Sequence, residues 1–424
     1  MLNVKELKYT LRDAVSRLSA KDVKATAGFE SGYGAFHFTV PEEVQKILNF
    51  PLGINSETAS VIFNIGVRQI CNQMIENESV LTEKMLSSAC QTIVDNLQDS
   101  KGKHLFIFFV PSITLAVKES IEIGGTTLRK ASVADAELLE GRADIILERN
   151  VGSQGPTDKK DFLNRYLNST LVQLRFSGFH YKDELSFPAH EAWKTFGRVA
   201  AYLMICKEVL QIPEKYPDYG RDHKSWPWDA FMVGKRGRAP LIPIYSTGHQ
   251  FSIYGLDFEI DPHLLDYLYK YCYLQEFNRL CKSHTELRDK IYRSLDWFLK
   301  GCREDDPTDQ LVCSFISLEC LFGMGSDSLS SQTGDLAENI ALLIHSKRPE
   351  RIEEKNFFKK KVYPLRNRIM HHGHMFEAKD EPVSDRLKVY IMYGVINILK
   401  HLDAITKDGG LRNFFEKVKM TASI

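Results

Sequence analysis

No stretch of this 424-residue chain approaches the roughly 18 consecutive apolar residues that a membrane-crossing helix needs. The apolar run Leu105 to Val110 is only strand-length. The first residues, Met1-Leu-Asn-Val-Lys-Glu-Leu-Lys, mix charges and lack the apolar core of a secretory signal. A cytoplasmic chain with no membrane partner is therefore expected. Net charge is missing too: 55 Lys+Arg balance 55 Asp+Glu, which excludes a protein that coats nucleic acid by bulk charge but leaves room for a local basic site. None of the cysteines (71, 90, 206, 272, 281, 302, 313 and 320) forms a C-x-x-C pair, so zinc-ribbon spacing is absent. Most lie in helix-like apolar runs, where a buried free thiol is the usual state. The familiar nucleotide and acyl-transfer signatures are also absent. There is no G-x-x-x-x-G-K-[ST], no strand-to-helix G-x-G-x-x-G and no G-x-S-x-G. Ser31-Gly-Tyr-Gly34 has two glycines and no lysine, and reads as a turn. No cofactor is expected.

What is present is an α+β pattern that changes character along the chain. Residues 56–76 and 79–98 carry apolar side chains at helical spacing. His104 to Val117 reads as extended, and Gly124-Gly125 as a turn between two short strands. Ile145–Leu147 and Thr170–Phe176 are further strand candidates. Gly152 to Thr157 reads as a loop, and Ala189 to Leu210 as a long helix. The stretch Pro213 to Pro243 lacks the periodicity of a regular element. A mixed α/β region is thus expected over 1–259, with a possible subdomain break near 150–160.

The rest, 260–424, reads as an all-α bundle. Residues 281–302 form one apolar stripe, Leu287, Ile291, Leu295, Phe298 and Cys302. Asp306-Pro307 supplies a cap and a first-turn proline for a helix ending at Gly323. Further helices are expected over 335–346 and 355–372, and from about Ser384 to the pair Gly409-Gly410.

Lys355 to Phe376 holds six Lys and Arg residues and no acid. Lys359, Lys360, Lys361 and Arg368 are the phosphate contacts this pattern suggests; a solvated helix face is the other reading. The run continues Tyr363-Pro-Leu-Arg366-Asn367-Arg368-Ile-Met-His371-His372-Gly373-His374. Asn367 and His371 share a helical face, but Arg366 lies roughly 140° from His371 on a straight helix. Either the helix loosens at Gly373, or two chains pool their residues. Histidine exchanges protons near neutral pH, and arginine stabilises a phosphorane-like state as a fixed cation. Together they suffice for metal-free RNA cleavage. A zinc site made of the histidines lacks an acidic or Cys partner at ligand spacing. A purely structural role for them is a third reading.

Glu319 lies four residues after Phe315 on the preceding helix and is expected to point into its apolar stripe, where a carboxylate needs a partner. Arg366 is the expected partner; the other reading lets Glu319 snorkel out at the bundle end. Pro364 is expected to kink or restart its helix. In the front region, Trp226-Pro-Trp228 precedes Lys235, Arg236 and Arg238, a set that either stacks bases and holds phosphates or forms an ordinary surface loop.

With Phe315-Ile-Ser-Leu-Glu319-Cys-Leu-Phe322, Leu336-Ala-Glu-Asn-Ile-Ala-Leu-Leu343 and Val362-Tyr-Pro-Leu-Arg366-Asn-Arg-Ile-Met-His371-His-Gly373, the chain resembles an ApeA-like HEPN domain over about 285–405. The element shared with that family is Arg, a polar residue, and His after four to six intervening residues. Arg366 to His371 has four; His372 gives a competing register, and Arg368 with His374 another. The resemblance implies a small helical bundle acting as a metal-independent endoribonuclease in a homodimer. Arg366 would stabilise the transition state, His371 or His372 would move protons, and Asn367 would orient phosphate or histidine. Glu319 would hold Arg366. It further implies cleavage of tRNA or other cellular RNA in antiphage defence, abortive infection or as a toxin. The N-terminal region would bind a trigger or an inhibitor. Some HEPN domains are instead non-catalytic nucleotide-binding, RNA-binding or assembly modules. Histidines splayed into solvent would favour that alternative, and convergence across a two-fold interface would favour the nuclease.

Overall fold

The computed structural model describes residues 4–16, 63, 66–67, 69–75, 80–110, 113–132, 135, 170–179, 187–211, 230–233, 242–243, 258–323 and 329–422. A mixed α/β N-terminal region precedes an all-α helical region. The chain divides into two compact units. One comprises Met1–Phe106, Arg175–Ala192 and Phe231–Ser246, and the other Ile107–Leu174, Trp193–Ala230 and Thr247–Ile424.

In the first unit, helix α1 (Val4–Ser16) places Leu7, Leu11 and Val15 on one buried stripe at four-residue spacing. It packs on α2 (Glu83–Ser100), which buries Leu86, Ala89, Cys90 and Ile93. Residues 69–75 are helical. Gly66 permits a close approach here, because a Cβ at that position would lie 2.5 Å from Ile93 Cδ1. Strand β1 (Lys101–Val110) follows directly after α2.

The second unit contains β2 (Ile113–Leu115) and the hairpin β3 (Ile121–Ile123) and β4 (Thr126–Lys130). The hairpin turn is Gly124-Gly125 with φ of +61° and +82°, which matches the primed turn that the twist of a two-residue hairpin favours. β5 (Thr170–Phe179) adds antiparallel to β4, with Leu128 opposite Val172. Helix α3 (Phe187–Val209) buries Tyr202, which stacks on Phe277 at 4.0 Å and donates to the Cys272 carbonyl. The Asn278 amide closes the hairpin onto the helices: its oxygen accepts from Gly124 N–H at 2.7 Å and its nitrogen donates to Glu122 O at 2.8 Å.

Two short strands, β6 (Ala230–Val233) and β7 (Ile242–Pro243), pair antiparallel inside the stretch expected to have no regular element. They are too short to show an alternating pattern. β8 (Phe258–Ile260) pairs parallel with β2. Ile145–Leu147, the Gly152 loop, Trp226, Trp228, Lys235, Arg236 and Arg238 lie outside the described residues.

The helical region runs α4 (Pro262–Tyr271), α5 (Leu274–Lys282), α6 (Glu286–Arg303), α7 (Pro307–Phe322) and α8 (Leu329–Ile344). The stripe expected as one helix over 281–302 is split. Thr285 caps α6 by accepting from Arg288 N–H, so Cys281 belongs to α5, while Leu287, Ile291, Leu295 and Phe298 are buried together. Asp306 caps α7 as expected, accepting from Thr308 N–H at 2.6 Å. α6 and α7 meet through buried Ser294 and Ser317, whose hydroxyls are 2.9 Å apart. α8 starts six residues before the expected 335.

Helix α9 (Arg348–Phe357), a π-helical turn (Phe358–Val362) and α10 (Tyr363–His372) follow without a break. The α-helical geometry restarts at Tyr363 after the π turn, with Pro364 in the first turn, as expected. The proline has no N–H to donate, a lack that a first-turn position tolerates. α11 (Glu381–Lys400) is the central helix, with Leu387, Ile391, Val395 and Ile398 fully buried. Gly394 lets it approach Phe322, whose Cζ would lie 2.7 Å from an added Cβ. The Gly409-Gly410 pair does not close the last helix. It joins the short α12 (Leu402–Lys407) to a further helix, α13 (Leu411–Ala422).

Candidate active site

The 348–372 arm is anchored from inside. Glu354 is only 1% exposed. Its carboxylate accepts from Arg386 Nη2 at 2.8 Å and from the Tyr390 hydroxyl, and lies 3.1 Å from His345 Nε2. A buried carboxylate needs such partners. Burial also pushes the Tyr390 phenol far above its ordinary range, helped by the Glu354 carboxylate. Phe358 and Val362 then plug the π turn into the core, with Phe358 against the Tyr390 ring at 5.4 Å. Between those plugs, Lys359, Lys360 and Lys361 are all exposed, and none forms an ion pair with a described residue. Lys355 does: its Nζ lies 2.9 Å from Glu338. The three consecutive lysines are therefore the free cations of the run.

In α10, Leu365 and Ile369 hold the inner face. Arg366, 24% exposed at its side chain, directs Nη2 to Glu319 Oε1 at 3.1 Å. The expected partners meet, but the physical setting differs from expectation. Glu319 is 44% exposed and lies at the bundle surface, one turn before the Gly323 cap, rather than in the apolar stripe. The exposed helix end carries Asn367, His371 and His372, each open to solvent with no partner among the described residues. The helix stays regular through His372, so it does not loosen to bring Arg366 and His371 onto one face.

Gly373 then adopts φ +63°, and the N–H groups of Gly373 and His374 both donate to Arg368 O. This turn folds His374 back under the helix end. Its Nε2 is buried, 3.4 Å from Asp380 Oδ2 and 3.6 Å from Glu377 Oε1, without an aligned hydrogen bond. Arg368 Nη2 reaches the same Asp380 carboxylate at 3.7 Å. Arg368 and His374 are thus gathered on one buried acid, whereas His371 and His372 are not gathered at all. The Asp380 anchor and the Glu354 cluster were missed in the sequence. Their signals were the four-residue spacings of Glu350 with Glu354 and of Arg386 with Tyr390, and an Asp three residues after Glu377. Among the described residues no group of His, Cys, Asp and Glu is arranged to hold a metal ion, and no helix is long and apolar enough to cross a membrane.

The arrangement offers a fixed guanidinium, two accessible imidazoles near one helix end, and three unpaired ammonium groups upstream on the same arm. Cations of this kind draw phosphates, and imidazoles move protons near neutral pH. No family model, curated protein or solved structure matches the chain.

Proposed function

We propose that the C-terminal helical region is a HEPN-type endoribonuclease that cuts RNA without a metal, acting in the cytoplasm as a homodimer. The observation that carries this reading is Arg366 fixed by Glu319 on a helix that presents Asn367 and, in its last turn, His371 and His372 to solvent. In this chemistry a ribose 2′-OH attacks the adjacent phosphorus. A P–O2′ bond forms, the P–O5′ bond breaks, and the products are a 2′,3′-cyclic phosphate and a 5′-OH. An imidazole takes the 2′-OH proton, and another proton is delivered to the leaving O5′. Arg366 faces the charge that grows on the phosphoryl oxygens. Lys359, Lys360 and Lys361 attract the backbone before reaction.

The regular helix keeps Arg366 and His371 of one chain out of phase, which is why a second copy enters the proposal. Its Arg366 and this chain's His371 would line one cleft. The region before 260 would bind the trigger or inhibitor that sets activity, and the RNA would be tRNA or another cellular RNA cut in antiphage defence or by a toxin. A specific observation favours a second reading, a non-catalytic RNA- or nucleotide-binding module: both exposed histidines stand without partners among the described residues.

The deciding experiment incubates total tRNA with the full chain in EDTA and compares wild type with Arg366→Ala and His371→Ala. Cleavage with cyclic phosphate ends, lost in both variants, supports the nuclease. Cleavage retained in both removes these residues from the chemistry. Binding without cleavage in any form, even with the 260–424 segment expressed in cells, supports the binding module.

A further inference from the structure

A cavity of about 650 Å³ opens between the start of α6 and the α12–α13 corner, and none of its lining residues belongs to the Arg366–His374 run. Its size falls in the usual range for small-molecule sites. Leu280, Leu287, Leu402, Ile405 and Leu411 give it an apolar floor. Three cations line it: Arg279, Lys290 and Arg412. Arg279 is engaged by Asp403 at 2.6 Å, at the exposed rim. Lys290 is only 19% exposed; its Nζ donates to the Gly323 carbonyl at 2.6 Å, and its nearest carboxylate is Glu286 at 3.8 Å. Arg412 has no partner among the described residues.

The backbone adds to this. The Gly409-Gly410 corner has φ of +80° and +125°, and Phe414 N–H, donating to Gly410 O, is the first amide of α13 to find an acceptor. The N–H groups of Leu411, Arg412 and Asn413 are thus left open, as at any helix start. Burial lowers the Lys290 pKa, because the ammonium loses hydration that its neighbours do not fully replace. An apolar floor combined with spare positive charge suits a ligand that has both characters.

We infer that this cavity binds a small organic phosphate monoester, its apolar body on the leucine floor and its dianionic head against Arg412, Lys290 and the open amides of α13. The site is independent of the proposed nuclease and stands or falls separately. Calorimetric titration of the full chain with phenyl phosphate, inorganic phosphate and phenol tests it. Phenyl phosphate is expected to bind about tenfold or more tighter than inorganic phosphate, because only it covers the floor. Phenol is expected to bind far more weakly than phenyl phosphate. Arg412→Glu, at an exposed position, should weaken phenyl phosphate by about tenfold or more while leaving the melting temperature in place. Thr406→Trp, at the exposed part of the lining, should weaken phenyl phosphate and spare inorganic phosphate. No binding of phenyl phosphate at millimolar concentration would overturn the inference. So would equal binding by wild type and Arg412→Glu, and so would inorganic phosphate matching phenyl phosphate.

Discussion

Arg366 and Glu319, 47 residues apart in sequence, meet at 3.1 Å on the surface of the helical region. An exposed ion pair of this kind contributes about 0–1 kcal/mol to stability, so its geometry matters more for where it holds the guanidinium than for holding the fold. Glu319→Gln should therefore change the urea midpoint little and lower single-turnover RNA cleavage. Arg366→Ala should lower cleavage further, by about 10²–10³, the usual cost of removing one group that stabilises transition-state charge. A large loss of stability in Glu319→Gln, with cleavage intact, would make the pair structural.

The Glu354 cluster should behave in the opposite way. Removing one partner of a buried ion pair costs about 3–5 kcal/mol, because the other charge is left stranded. Arg386→Ala leaves the Glu354 carboxylate, 1% exposed, with only Tyr390 and His345. Urea unfolding of the full chain should thus show Arg386→Ala to be much more damaging than Arg366→Ala. Equal effects would mean that solvent reaches Glu354 once the arginine is gone.

How far these features could be read in the sequence depends on their range. Caps and turns are local, and Asp306-Pro307 and Gly124-Gly125 stand where the residues place them. The Arg366–Glu319 contact was also foreseeable, as two charged residues on neighbouring helices, yet its burial was not. The neighbours that decide exposure of Glu319 come from other helices, and its own helix phase cannot supply them. The split at Thr285 was hidden because the apolar stripe continues in phase across the break. The π turn at Phe358–Val362 shifts the phase between the lysines and Arg366, which no constant period could show. Asp380 gathers Arg368 and His374 only because Gly373 reverses the chain.

Acid should act on Asp135. Burial raises its pKa, but the Arg129 guanidinium, bonded at 2.6 and 2.7 Å, and the Ser132 donors outweigh this and hold the carboxyl below its ordinary range. A folded pKa below the unfolded one gives stability that is present above about pH 4 and fades as pH falls through the lower folded value. Wild type should therefore exceed Asp135→Asn in stability at neutral pH, and the two should converge in strong acid. A gap that widened on acidification would reverse the sign and rule this linkage out.

The three free lysines make a claim about salt. Each phosphate neutralised on single-stranded RNA steepens the dependence of log affinity on log salt by about 0.7. With His371→Ala as a background to prevent cutting, Lys359→Gln, Lys360→Gln and Lys361→Gln together should flatten that slope by about 2 if all three contact phosphate. A parallel line of lower affinity would mean that the lysines act on the fold or on a partner copy.

The phase of α10 leads to a test of the shared cleft. Arg366 and His371 are five residues apart on a helix that stays regular through His372, so one chain presents them roughly 140° apart. If each cleft takes Arg366 from one copy and His371 from the other, Arg366→Ala and His371→Ala homodimers have no intact cleft. A mixed dimer is different: the Arg366→Ala chain still offers His371, and the His371→Ala chain still offers Arg366, so one of its two clefts is whole. Random pairing makes about half of the dimers mixed, so co-refolding the two inactive variants should restore about one quarter of wild-type cleavage under two-fold symmetry. A cleft built within one chain allows no such rescue, because every chain in the mixture lacks one of the two groups. Failure of rescue, with dimers shown to exchange, would therefore place Arg366 and His371 in separate roles rather than in one shared site.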